Sequence, residues 1–254
     1  MAFVLFRPGK DVWAFGVEPA KVRYRLRLAR YPALAEYLQD WIQKPQQTQT
    51  NDQHEPFELL DIGAGFGRSF LYIQAQGIAE RFNLTGMDIN PRRKDDVYAG
   101  NPWNIVAGDA EQDLDYPDDS LDVVICEQLL EHLNHPDVVL KNVQRVLRPG
   151  GLFIVGVPIF PEPIARLRRW AVNRFGLRGS EHIQTYSLRS LRQDLAAGFT
   201  EIEARGFRII SGGPLRKLEN YKWWLGFNRR LGAWLPGLCI EVQMIVTPRQ
   251  DQQP

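Results

Sequence analysis

From Phe57 onward, short apolar runs alternate with stretches whose apolar positions recur every three or four residues. The runs FELLDIG (57–63), FNLTGMD (82–88), NIVAGD (104–109), LDVVICE (121–127) and GGLFIVGVP (150–158) are close to continuous in Leu, Ile, Val and Phe. Strands of that kind lie in parallel sheets that are covered on both faces. Between the fourth and fifth runs, Asp137–Leu147 repeats at helical spacing. A helix is predicted after Ser187, a plausible N-cap, followed by the extended run TEIEARGFRII (200–210), an aromatic-rich segment at 214–236 and a last strand, CIEVQMIVTP (239–248). That last strand alternates in part, which suits an added antiparallel member. The predicted fold class is α/β, a doubly wound, mostly parallel seven-stranded sheet.

The first fifty residues follow another rhythm. Leu26, Ala29, Ala33, Leu34, Tyr37, Leu38, Trp41 and Ile42 fall at helical spacing, so residues 1–43 are expected to form a helical N-terminal extension. Residues 44–56 are polar, contain no aliphatic residue and are bracketed by prolines, as in a linker. Residues 57–249 then form one α/β domain, with basic, aromatic insertions at 160–182 and 212–237.

Composition narrows the classes. A chain of 254 residues with 44% hydrophobic and 24% charged residues is neither disordered nor fibrous. Only Cys126 and Cys239 are present, which argues against a disulfide framework and for a reducing compartment. The run Ala2–Phe6 is too short for a signal-peptide core, and no stretch suits a membrane span. The expected location is cytoplasmic. Net charge is +1, but it is unevenly distributed: residues 51–163 carry −11 and residues 164–254 carry +8. The two parts are expected to meet different partners.

Candidate chemistry sits where the strands end. Asp61-Ile62-Gly63-Ala64-Gly65-Phe66-Gly67-Arg68 joins the first strand of the sheet to a helix. Glycines there permit a tight turn and let backbone amides approach a ligand. A dinucleotide fingerprint starting at Gly63 requires Gly or Ala where Arg68 stands. Asp61, two residues before Gly63, would repel a pyrophosphate and attract a ligand ammonium. Asp88 ends the second run at a spacing suited to both ribose hydroxyls. Asp109 ends the third, where a carboxylate can accept an adenine amino group. Three acids at successive strand ends suit a cationic nucleoside better than a polyphosphate.

The stretches LLDIGAGFGR, GMDINP, VAGDAEQDLDYPDDSLDVVICEQLLEHL and VLRPGGLFIVGVP, in this order and spacing, resemble a class I S-adenosylmethionine-dependent methyltransferase of the type 11 group. The resemblance covers residues 57–160 closely and 182–248 loosely. It implies a Rossmann-like methyltransferase fold with S-adenosylmethionine as cofactor. It also implies that Asp61 and Gly63, Ala64 and Gly65 hold the methionine portion, and that Asp88 holds the ribose with Ile89 against the adenine. Asp109 and the amide of Ala110 would read the adenine edge, and Glu127 would start the loop beside the methionine end.

For the transfer itself, positioning matters most, and a base helps if the acceptor is a hydroxyl. Glu131 and His132 follow the fourth run, and His182 precedes the helix at Ser187; these three are the catalytic candidates. The resemblance extends to relatives in which two Glu and a His hold a divalent metal. Here the first of those positions is Gln128, with Glu127 one residue out of register, so no metal is expected. The arginine-rich segment 164–178 and the Trp and Arg clusters of 214–236 read as a contact for an anionic membrane surface or a lid over an amphiphile. The alternative is core-facing helices with solvated basic faces. The acceptor is expected to be a small molecule, lipid or glycan, with contact to the inner face of the membrane and without nucleic acid. Two rival readings stand beside methyl transfer: a cofactor-binding pseudo-enzyme and a nucleotide-dependent oxidoreductase.

Overall fold

A computed structural model describes residues 12–14, 18–20, 26–44, 56–65, 67–90, 104–175, 183–209, 218 and 221–249. Strands β1 (Val12–Ala14) and β2 (Glu18–Ala20) pair antiparallel. A helical turn at Leu26–Leu28 leads into α1 (Arg30–Ile42). The expected helical character of residues 1–43 is therefore corrected at 12–14 and 18–20, which are paired strands. The six paired residues include Pro19, which cannot donate within a helix. The linker expected at 44–56 lies almost wholly outside the described residues.

The main sheet is built from β3 (Phe57–Ile62), β4 (Phe82–Asp88), β5 (Asn104–Ala107), β6 (Leu121–Glu127), β7 (Leu147–Pro158), β8 (Phe199–Phe207) and β9 (Glu241–Pro248). Among the described residues it has seven strands in the order β5-β4-β3-β6-β7-β9-β8. Only β9 runs antiparallel to its neighbours β7 and β8. The helices that follow α1 among the described residues are α2 (Arg68–Ala75), α3 (Pro136–Val146), α4 (Glu162–Phe175), α5 (Leu188–Leu195) and α6 (Lys222–Trp234). Ser187 caps α5 as predicted, its hydroxyl accepting from the Ser190 amide at 3.1 Å.

The near-continuous apolar strands are explained by two cores. Leu60, Val124 and Phe153 turn to one face and pack with Val139, Val143 and Val146 of α3 and Leu191 and Leu195 of α5. Their neighbours Leu59, Val123 and Leu152 turn to the other, with Leu34, Leu38 and Trp41 of α1 and Phe70 and Ile73 of α2. Period-2 alternation thus feeds both layers, which is why neither face is polar.

Helix α1 is one of these layers and not an appendage. Trp41 lies 5.0 Å from the Phe57 ring, and Leu34 and Leu38 are fully buried. Leu38→Ala is accordingly expected to cost roughly 2–5 kcal/mol of stability. Chemical denaturation measures it, and a loss below the range of surface substitutions would show α1 to be dispensable.

Candidate functional site

The sheet reverses its strand order between β3 and β6, since β4 and β5 lie to one side and β7 to the other. Clefts of open α/β sheets form at such a point, outside the carboxyl ends of the strands. Read across that edge, β5, β4, β3 and β6 deliver Asp109, Asp88, Asp61 with its glycine turn, and Glu127. The structure brings the sequence-predicted acids into one row.

The glycine turn is held in place by its neighbours. Gly63, Gly65 and Gly67 all have positive φ, at 73°, 54° and 69°, a region costly for residues with a Cβ. The amides of Gly63 and Ala64 both donate to the Met87 carbonyl, at 2.8 and 3.1 Å. The Gly65 amide donates to Asp88 Oδ2 at 2.9 Å, and the Asn90 amide donates to Asp88 Oδ1 at 2.9 Å. Asp88 therefore fixes the turn and is itself aimed by two backbone amides. Beside it, Ile89 is 67% exposed, an apolar side chain standing out over the edge. Asp109 accepts from the Glu111 amide at 2.9 Å, a local turn that also sets its carboxylate, and Ala110 is buried behind it.

Three carboxyls at this edge are buried. Asp61, Glu127 and Glu131 are 2%, 7% and 1% exposed. Burial pushes the Asp61 carboxyl up to about 7 against the hydrogen bond from Ser69. Burial likewise lifts Glu127 to about 7, opposed by Arg30 and Gln243. It lifts Glu131 to about 7, opposed by backbone hydrogen bonding and Arg30. Glu131 Oε2 and Gln128 Nε2 are buried without a hydrogen-bond partner. Such groups carry a cost that a ligand can relieve.

One buried cation answers these acids. Arg30, at the start of α1, places Nε 3.2 Å from Glu127 Oε2 and Nη1 2.8 Å from Glu241 Oε2. Burial disfavours its charge, but Tyr31, Glu241 and Glu127 outweigh that. Gln243 donates to Glu127 Oε1 at 2.6 Å, and Arg208 pairs with the other oxygen of Glu241. Gly156 lies alongside, where a Cβ would collide with the Glu127 carboxyl. Arg30, Glu241 and Gln243 carry no local motif and were not predicted. A signal for two of them exists: an acid and an amide at alternate positions of a strand whose first six residues are buried and otherwise apolar.

Glu131 and His132 form a helical turn after β6, with His132 Nε2 3.9 Å from Glu131 Oε1. The His132 side chain is 40% exposed, whereas that of Glu131 is buried. His182 lies outside the described residues. Its neighbour Ile183 donates its amide to the Glu131 carbonyl at 2.8 Å, which brings that stretch of chain to the same turn. Tyr186, four residues on, packs in the core, and burial pushes its phenol up. Among the described residues, no group of three or more His, Cys, Asp or Glu is placed to hold a metal.

Residues 60–155 match the family model described as a methyltransferase domain. Over 104 residues the chain is 32% identical to the demethylmenaquinone methyltransferase of Tropheryma whipplei (strain Twist), covering 39% of this chain and 40% of that protein. Over 105 residues it is 36% identical to a fatty-acid O-methyltransferase of Mycolicibacterium smegmatis, covering 38% and 35%. The chain thus spans well under half the length of these relatives. A loganic acid methyltransferase solved with SAH superposes with a TM-score of 0.55 at 10% identity, over 92% of this chain and 95% of that one, and shows the fold alone.

The raised carboxyls give a signed pH dependence. An unfolded Asp61 titrates near 3.8 and the folded one near 7, so between those values the folded state holds a proton that the unfolded state has released. Its contribution to stability is therefore present at low pH and lost as pH rises through 7. Asp61→Asn, which keeps the neutral form at every pH, should gain stability relative to wild type by about 2–3 kcal/mol between pH 5 and pH 8. Thermal unfolding across that range measures the gap, and a constant difference would show Asp61 ionised throughout.

Proposed function

Residues 60–155 are a class I S-adenosylmethionine-dependent methyltransferase domain, and from that premise we propose that this protein transfers a methyl group from S-adenosylmethionine to an oxygen of a small-molecule, lipid or glycan acceptor. The observation that carries the reading is the charge of the sheet edge. Asp61, Glu127, Glu131 and Glu241 are all buried there, and Arg30 is the buried cation beside them. Low-dielectric surroundings leave that excess of acid in want of positive charge, which suits a cofactor bearing an ammonium and a sulfonium. A pyrophosphate would be repelled, and Arg68 also departs from the dinucleotide fingerprint, so the oxidoreductase reading is disfavoured.

In this reading Asp61 and the turn Gly63, Ala64 and Gly65, shaped by its own amide bonds to Met87 and Asp88, face the methionine portion, and Glu127 stands at its far end. Asp88, already oriented by two backbone amides, accepts from the ribose hydroxyls. Ile89 covers one side of the adenine, while Asp109 and the Ala110 amide meet its polar edge. When bound, the cofactor supplies an electrophilic methyl group for in-line displacement. The chain's part is to align the acceptor oxygen and to take its proton. His132, half-exposed at the edge, is the residue for that proton, with buried Glu131 holding the imidazole and balancing the imidazolium. His182, from the neighbouring stretch, would complete the acceptor side.

Two of the named relatives act on demethylmenaquinone and on a fatty acid. They favour an apolar acceptor, and with it contact between this chain and an anionic membrane surface, over a glycan.

Asp88→Ala should weaken S-adenosylhomocysteine binding by roughly 1.5–3 kcal/mol, the scale of charge-assisted hydrogen bonds. Titration calorimetry with that compound and with NAD measures both. Unchanged affinity in a folded variant rejects the ribose assignment, and preferential binding of NAD rejects methyl transfer. A protein that binds the cofactor but forms no S-adenosylhomocysteine with quinol, fatty-acid or glycan acceptors would instead be a pseudo-enzyme.

A further inference from the structure

Helix α4 faces outward with its apolar side. Ala165 is buried, and Arg168, Arg169 and Val172 turn toward the body of the protein. Arg168 lies 4.9 Å over the Phe160 ring, and Arg169 donates to the Thr185 carbonyl at 3.1 Å. Ile164, Leu167, Trp170 and Phe175 are left 53%, 64%, 57% and 58% exposed. An ordinary surface helix does the reverse and buries its apolar stripe. The core-facing alternative is thereby excluded for α4.

Helix α6 repeats the pattern. It packs through Trp224 and Asn228, while Trp223, Phe227 and Trp234 are 50%, 44% and 81% exposed. The turn that follows adds Leu238, at 55%. The two helices reach the sheet at one place. Helix α4 starts just after Pro158, whose partner across the sheet is Glu241, and α6 leads into that same Glu241. The Ile159 amide donates to the Ile240 carbonyl at 2.8 Å, closing the junction. That junction is the carboxyl end of β7, two strands from the glycine turn.

The charged side chains of this surface are mostly basic. Beside the exposed apolar side chains, α4 presents Arg166 and Arg174 and α6 presents Arg229 and Arg230, with Glu162 against Arg166 and Glu36 against Arg229 as the acids that meet them. Exposed apolar patches of this extent mark interaction sites. Tryptophan set among arginines fits the boundary between lipid headgroups and acyl chains. A second copy fits poorly, because self-contact would bring the two basic faces together. We propose that α4, α6 and the 235–240 turn form a docking surface for an anionic lipid bilayer, which sets the carboxyl edge of the sheet against the membrane. Delivery of an apolar acceptor from the bilayer rests on the methyl-transfer reading; the docking does not.

The test is co-sedimentation of the full chain with vesicles of phosphatidylcholine alone and of phosphatidylcholine mixed with phosphatidylglycerol. The chain should sediment with the anionic vesicles and remain in solution with the neutral ones. Binding should weaken as salt shortens the Debye length from about 10 Å at 0.1 M toward 3 Å at 1 M. Arg166→Ala with Arg174→Ala should lower partitioning about fivefold per residue. Trp170→Glu and Trp234→Glu change side chains that are mostly solvent-exposed, so the fold should persist while binding falls at least tenfold. Absence of sedimentation with anionic vesicles at low salt overturns the proposal, as does wild-type binding by both Trp variants. A concentration-dependent dimer abolished by those variants, without vesicle binding, also overturns it in favour of self-association. S-adenosylhomocysteine titration on the same samples separates the two readings: a chain that binds vesicles but not that compound keeps the docking surface and loses the methyl-transfer function.

Discussion

The Arg30 guanidinium is the constraint on which the rest of the site depends. It reaches from the first turn of α1 into the space between β6 and β9 and meets Glu127 and Glu241. None of the three charges stands in water. Removing one partner would strand the others at a cost of about 3–5 kcal/mol, far above that of a surface pair. The pairing also fixes geometry. It sets where α1 crosses the sheet, and it holds the last residue of β6. Helix α1 is in this way part of the carboxyl edge of the sheet as well as of the core.

Around that cation the edge remains short of positive charge. Glu131 keeps a buried oxygen without a partner, and Asp61 has a hydroxyl, not a cation, as its neighbour. A protein tolerates such a cost where a ligand is to meet it. The same burial that raises these carboxyls strengthens their attraction for a positive ligand once they ionise, because water cannot screen it. Asp88 and Asp109 differ: backbone amides hold both, so their orientation is set before any ligand arrives.

Much of this was legible from local pattern. The inner strands β3, β6 and β7 fall on near-continuous apolar runs because both of their faces are buried, whereas the edge strands β5 and β8 are largely exposed and read only as short or mixed extended runs. The glycine turn and the acids at 61, 88 and 109 were legible because strand ends put chemistry at fixed offsets. The strand pair 12–14 and 18–20 was missed because three-residue strands are too short for periodicity to register. Arg30 was missed for another reason: its partners lie 97 and 211 residues away, at Glu127 and Glu241, and nothing in an arginine-rich stretch marks which one turns inward. Helix α4 shows the limit most clearly. Its amphipathic pattern was visible, but which side faces the core depends on what packs against it.

The uneven charge along the chain then acquires a physical meaning. The acidic stretch 51–163 supplies the strand ends, whose carboxylates are held in or beside the sheet edge. The basic stretch 164–254 supplies most of α4 and all of α6, where Arg166, Arg174 and Arg230 stand beside apolar side chains turned to solvent. The two stretches meet where β7 ends and β9 begins. A nearly neutral chain can thus present an acidic cleft to a cation and a basic, apolar rim to an anionic surface a few strands apart. Opposite charges so close would cancel if they were mingled. Burial keeps Asp61, Glu127 and Glu131 out of solvent, and the outward arginines keep their field on the water side, so for these groups the separation is maintained by the fold and not by distance.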